Sequence, residues 1–129
     1  MITIPKKVEY SIILIAFLAK RGQGTVSLTH VSKKLMLPYR FLGQLASKLK
    51  EAGIVTSREG KSGGYELVEG WEKRNLYDLM EALGENKRMV KCLGDGECSR
   101  AADCDLRKIW NKVEKNFIDQ LKQIKLEEI

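Results

Sequence analysis

Three cysteines, Cys92, Cys98 and Cys104, stand at a C-x5-C-x5-C spacing among Gly94, Asp95, Gly96, Glu97, Ser99 and Arg100. Neighbours that polar belong to an exposed loop rather than a core, and thiols clustered on an exposed loop point to metal or redox chemistry. Structural zinc is usually held by closer pairs, C-x2-C to C-x4-C, and this loop has none. A larger group wants ligands further apart, and cysteine thiolates are the standard ligands of iron–sulfur clusters. On spacing alone an iron–sulfur cluster, zinc and a metal-free thiol switch all stay open, and a cluster would lack one ligand. An odd count is a poor start for a disulfide framework, so the expected compartment is a reducing, cytoplasmic one.

The elements that position this loop can be read from charge and periodicity. The chain has 129 residues, 23 of them Lys or Arg and 17 Asp or Glu, a net charge of +6. Residues 1–70 hold 11 basic and 5 acidic side chains, whereas residues 71–129 hold 12 of each. All the excess positive charge therefore lies in the first half, which fits a localised anionic partner, most simply a DNA phosphate backbone. Near the start, Lys6 and Lys7 precede an apolar run from Ile12 to Ala19, the order of a secretion signal. Glu9 interrupts it, Lys20-Arg21 stand where a cleavage site should be, and the run is too short for a membrane span. A buried first helix over about Pro5–Lys20, with no membrane partner, is expected.

After Gly22-Gln23-Gly24, Ser27 and Thr29 offer hydroxyls to cap a second helix running through Val31 and Leu35. Met36-Leu37-Pro38 breaks it, and Pro38 suits the start of a third helix, whose Phe41, Leu42, Leu45 and Leu49 form an apolar stripe ending at Gly53. Two short helices about a tight break are what a helix-turn-helix needs. The period then changes to alternation: Ile54-Val55-Thr56, a turn Gly60-Lys61-Ser62-Gly63-Gly64, and Tyr65-Glu66-Leu67 predict a β-hairpin wing. The glycine pair lacks the spacing of a nucleotide-binding loop.

If the stripe faces the core, Tyr39, Arg40, Gly43, Gln44, Ser47 and Lys48 face outward. Gln44 suits adenine and Arg40 guanine through paired hydrogen bonds, while Ser47 and Lys48 suit phosphate. Ser27, Thr29, Lys33 and Lys34 on the second helix, and Arg58, Lys61 and Ser62 on the wing, complete the expected DNA-binding set. The lone His30 reads as a surface or capping residue. Without a nucleophile–base pair or a phosphate loop, no catalytic constellation exists and no enzyme is expected.

From Asp105 onward Leu106, Ile109, Val113, Phe117, Leu121 and Ile124 recur every three or four residues, with Trp110 and Ile118 widening the stripe. A helix that long calls for a partner helix, so a homodimer is expected, with Asp103 or Asp105 capping the helix beside Cys104. The predicted fold is mainly α with a small β-hairpin: a winged helix-turn-helix over 1–70, then a cysteine loop and dimerisation helix over 71–129, in one compact domain.

Phe41-Leu42 with Leu45, the wing sequence Gly63-Gly64-Tyr65-Glu66-Leu67 and the cysteine spacing together resemble the Rrf2 family of bacterial transcription regulators, which includes IscR and NsrR, over nearly the whole chain. The resemblance implies a homodimeric winged-helix repressor or activator binding a double-stranded operator. Its cysteines, matched here by Cys92, Cys98 and Cys104, would hold an iron–sulfur cluster, taken as 4Fe-4S ahead of 2Fe-2S, that senses nitric oxide, redox state or iron–sulfur status. IscR-like members have a histidine three residues after the last cysteine, where this chain has Arg107, and a guanidinium has no lone pair to give. NsrR-like members use an acidic residue near the N-terminus, supplied by the other subunit, and Glu9 matches that position. Without that role, Glu9 would form a surface ion pair with Lys6 or Lys7. Members often carry an acidic residue where this chain has Gly43 and a wing arginine where it has Glu59. The competing reading is a zinc or iron–sulfur redox or electron-transfer protein whose basic half meets an acidic protein.

Overall fold

Pro5, with φ of −62°, opens α1 (Lys6–Arg21), and Lys20 and Arg21 in its last turn complement the helix dipole. Val8, Leu14, Ile15 and Leu18 turn one face of α1 into the centre of the core. The computed structural model describes residues 3–85 and 104–129. Cys92 and Cys98, with Asp103, lie outside the described residues.

Ser27 caps α2 (Leu28–Leu35), its Oγ accepting the His30 amide at 3.2 Å. Pro38 precedes α3 (Tyr39–Glu51), and Gly53, at φ of +76°, lets the chain leave it. Between these helices Met36 takes the left-handed conformation, φ of +56°, which a side chain with a Cβ adopts at a cost of about 1–2 kcal/mol. Met36 is 89% exposed, so its side chain returns little packing. Met36→Gly should therefore raise stability by about 0.5–1 kcal/mol, the lower strain outweighing glycine's entropy, read as a higher urea midpoint at unchanged slope.

The wing pairs β1 (Val55–Arg58) with β2 (Gly64–Leu67) antiparallel, from Val55 opposite Leu67 to Arg58 opposite Gly64. Val26, in the α1–α2 link, adds one further rung beside β2: its amide donates to the Tyr65 carbonyl at 2.9 Å and the Tyr65 amide donates back at 2.8 Å. This rung explains the glycine pair. A Cβ on Gly64 would run into the Val26 carbonyl, and one on Gly63 into the carbonyls of Arg58 and Gly60. The pair lets backbones approach closely.

A short 3-10 turn (Trp71–Lys73) leads into α4 (Leu76–Ala82), an element whose only sequence signal is the Asn75-x-x-Asp78 capping box at its start. Asn75 Oδ1 accepts the Asp78 amide at 2.9 Å, and Asp78 Oδ2 accepts the Asn75 amide at 3.2 Å. The long helix is α5 (Asp105–Gln123), followed by a 3-10 turn (Leu126–Glu128) that inserts the fully buried Leu126 into the core. The predicted stripe is corrected at its end: Ile124 lies beyond the helix, in an extended link whose carbonyl accepts the Leu76 amide. The expected aspartate cap is corrected as well. Cys104 is the N-cap, without a side-chain cap bond, and Asp105 is the first helical residue, 3.8 Å from the Lys108 ammonium.

One core joins the two halves. Leu42, Leu45, Ala46 and Leu49 of α3 meet α1, Ile54 and Val55, and Leu79 and Leu83. Each fully buried leucine contributes about 1.5–3 kcal/mol. Tyr10 and Phe41 extend the core edge-on, with ring centroids 5.4 Å apart.

Candidate nucleic-acid interface

Because α3 buries Leu42, Leu45, Ala46 and Leu49, its other face is fixed outward. Tyr39, Arg40, Gly43, Gln44, Ser47 and Lys48 line one shallow depression there, joined by Glu51, which sequence reasoning had not included. The space where a Gly43 Cβ would stand is open, so glycine deepens the depression without meeting any neighbour. Gln44 and Arg40, the two side chains suited to base edges, therefore share a surface with Ser47 and Lys48, suited to phosphate.

The flanks carry the rest of the expected set. Lys33 and Lys34 are exposed in the last turn of α2, and Thr29 is exposed near its start. The Ser27 hydroxyl already accepts an amide and keeps its own proton to donate and a second lone pair. On the wing, Arg58 Nε lies 3.4 Å from Glu66 Oε1, which steadies an otherwise exposed side chain. Lys61 and Ser62 sit exposed at the tip, which Thr25 fastens by donating its hydroxyl to the Ser62 carbonyl. Lys50 Nζ donates to Ser57 Oγ at 2.7 Å, so the wing and the outward face of α3 are braced against each other. This brace is not legible in the sequence, since a contact seven residues away across a turn leaves no periodic signal.

Among the expected cluster ligands, Cys104 is half-buried at the amino end of α5, where a helix dipole favours negative charge. Glu9 is on α1 with its side chain 42% exposed, and within one chain it accepts from Lys6 Nζ at 2.9 Å, the surface ion pair named above. That carboxylate raises the Lys6 ammonium's pKa, first through the hydrogen bond and then through its charge. Lys7 takes a different partner: its Nζ donates to Glu85 Oε1 at 2.7 Å and to the Leu83 carbonyl at 3.0 Å. The amino end of α1 is thus tied to the root of the segment that carries Cys92 and Cys98. Among the described residues no group of three His, Cys, Asp or Glu side chains forms a metal site.

Of the expected dimer face, Leu106, Ile109 and Val113 are exposed in the single chain, Ile109 at 60%. Trp110 and Phe117 are half-buried, and Leu121 packs on the chain's own core. The stripe is therefore free over the first half of α5 and engaged at its end. Among the described residues no helix is long and apolar enough to cross a membrane.

Residues 4–129 match the profile of Rrf2, described as an iron-dependent transcriptional regulator. The chain belongs to the Rrf2 family. Among Rrf2 relatives, IscR of Vibrio campbellii is 31% identical over 107 residues, 83% of this chain and 64% of that protein. IscR of Vibrio vulnificus strain YJ016 is 29% identical over 124 residues, 95% of this chain and 74% of that protein. The chain thus spans under two thirds of the length of one of these IscR proteins. Among solved structures, CymR, the global cysteine regulator of B. subtilis, superposes with a TM-score of 0.76 at 30% identity, covering 98% of this chain and 95% of its own. T. potens IscR gives 0.72 at 27% identity, covering 97% and 83%. As an Rrf2 protein the chain is a helix-turn-helix transcriptional regulator that binds DNA through a winged-helix fold, and it is not an enzyme. The electron-transfer reading is set aside by that membership.

Proposed function

We propose that this regulator works as a cytoplasmic homodimer whose hold on a double-stranded operator follows the state of an iron–sulfur cluster. The reading rests above all on one observation: an Rrf2 chain that keeps three cysteines at C-x5-C-x5-C, lacks a histidine at Arg107, and carries Glu9 near the start of α1. Cys92, Cys98 and Cys104 of one subunit and Glu9 of the partner subunit would hold the cluster. Three thiolates and a carboxylate are a donor set iron accepts, and Cys104 stands at a helix end that favours anions. When bound, the cluster supplies a centre that reacts with nitric oxide or oxygen. As a ligand, the hard carboxylate oxygen of Glu9 would hold iron less firmly than a thiolate and would leave that position the more open to attack.

The residues of the chain convert ligation into geometry. Glu9 engaged by the neighbouring subunit would release Lys6, while Lys7 keeps α1 bonded to Leu83 and Glu85. The free apolar stripe Leu106, Ile109, Val113, with Trp110 and Phe117 beside it, is the surface through which the two copies would meet. Residues 1–70 then serve as the DNA-facing half and 71–129 as the sensing and dimerising half. Because the backbone superposes on CymR as well as on IscR, the cysteines and Glu9 carry this reading and the fold does not.

Anaerobic purification with iron and sulfide analysis tests it. A coloured protein with iron and acid-labile sulfide is expected; a colourless one with stoichiometric zinc would refute the cluster. Glu9→Ala should leave the three thiolates in place and yield a cluster that bleaches faster in air or nitric oxide. Bleaching at the rate of the unaltered protein removes Glu9 from the ligand set.

A further inference from the structure

The reading helix and the long C-terminal helix share no extensive surface, yet one side chain bonds to both neighbourhoods. Arg74 lies between the 3-10 turn after the wing and α4, with its side chain about one-third exposed. Its guanidinium Nη1 donates to the carbonyl of Ala52, the C-cap of α3, at 3.0 Å. Its Nε lies 3.4 Å from Asp78 Oδ2, the carboxylate that also closes the α4 capping box. Its backbone carbonyl accepts the Leu126 amide at 2.8 Å. Leu126 is fully buried three residues after α5 ends, and the Leu76 amide donates back to the Ile124 carbonyl at 3.0 Å, so the tail of α5 is pinned at this point from both sides.

We infer that Arg74 is the positioning residue that fixes the recognition helix relative to α5, and so sets the half-site spacing that a dimer joined through α5 will accept. The inference rests on the dimer proposed above. An orphan carbonyl at a helix end accepts readily from a guanidinium, and a fork held simultaneously by a carboxylate cannot swing. Among the described residues, the one bond of Arg74 that reaches residues 1–70 is that to Ala52, and no residue proposed to face a base bonds to it. Its loss should leave base preference alone and loosen the distance and angle between the two reading helices. One added base pair moves a half-site by about 3.4 Å and turns it by about 35°, a change that a rigid dimer resists and a loosened one absorbs.

The test uses the full-length protein and an operator selected from random duplexes by the unaltered chain, with and without one base pair inserted between its half-sites. For the unaltered protein the insertion should cost about tenfold or more in affinity, and for Arg74→Met less than about threefold, with the same base preference within each half-site. Arg74→Lys is the second variant, in case the first fails to fold. A single ammonium held by Asp78 leaves the Ala52 carbonyl without its donor, so the same loss of discrimination is expected. A general loss of stability would weaken both duplexes equally and would not change their ratio. If a folded, dimeric variant still penalises the insertion as strongly as the unaltered protein, the inference is overturned and the dimer stands. If the unaltered protein binds single half-sites as a monomer, both fall.

Discussion

Gln44→Ala should cost about 1–3 kcal/mol of operator affinity, roughly 5- to 150-fold, confined to one base position in each half-site. Gln44 is exposed on the one surface formed by Tyr39, Arg40, Gly43, Ser47, Lys48 and Glu51, and no described element covers it. The residues around it are anchored from behind by Leu42, Leu45 and Leu49, so truncating its amide would remove the proposed base contact without moving the helix. The control is Lys34→Ala. An exposed lysine at the end of α2 suits phosphate, so its loss should weaken every sequence alike and lower the salt dependence by about one charge. Binding measured across a panel of single-base operator variants separates the two. Equal weakening on every operator from both substitutions would remove Gln44 as the reading residue.

On the proposed cluster, Cys98→Ala has the largest expected effect. Removing one thiolate of three would leave two thiolates and a weakly holding carboxylate, so iron, sulfide and colour should be lost together, unlike Glu9→Ala, which keeps all three thiolates. The DNA-reading half should persist. The one core, built from α1, α2, α3, Val55 of the wing, α4 and Leu126, contains no cysteine among the described residues, and neither do the Val26 rung, the Lys50–Ser57 brace and the Arg74–Ala52 bond. The variant should therefore keep the helix content and the salt-dependent DNA binding of the unaltered chain, while its operator affinity no longer responds to nitric oxide or air. A Cys98→Ala protein that retains the full iron content would place the cluster elsewhere.

The helix-turn-helix and wing are legible in the sequence because their signals are local. The stripe Leu42, Leu45, Leu49 has helical spacing, Ser27 and Pro38 mark helix starts, Gly53 marks an end, and the alternation after Ile54 changes the period. What the sequence conceals is long-range. Val26 joins the sheet as a single residue, Leu126 returns to the core after α5, and Arg74 reaches Ala52 across 22 residues; none of these has a period. The α4 helix, seven residues long, is too short for an apolar stripe to stand out, although its Asn75 and Asp78 box was there to be found. Leu121 and Ile124 continue the spacing of Leu106 and Ile109 yet end inside the chain's own packing and beyond the helix, because periodicity says which face is apolar and not what covers it. The outward-facing residues of α3 were readable for the converse reason: once the core side of α3 is fixed, the opposite side has nowhere else to point.

In the proposed regulator one molecule joins a cluster to an operator. A single anaerobic preparation on its selected operator at fixed salt, titrated with nitric oxide while absorbance and DNA affinity are recorded together, tests that link. Bleaching and a change in affinity of about tenfold or more should proceed in step, a shift of about 1.4 kcal/mol in coupling between the two sites. Complete bleaching with unchanged affinity would contradict it.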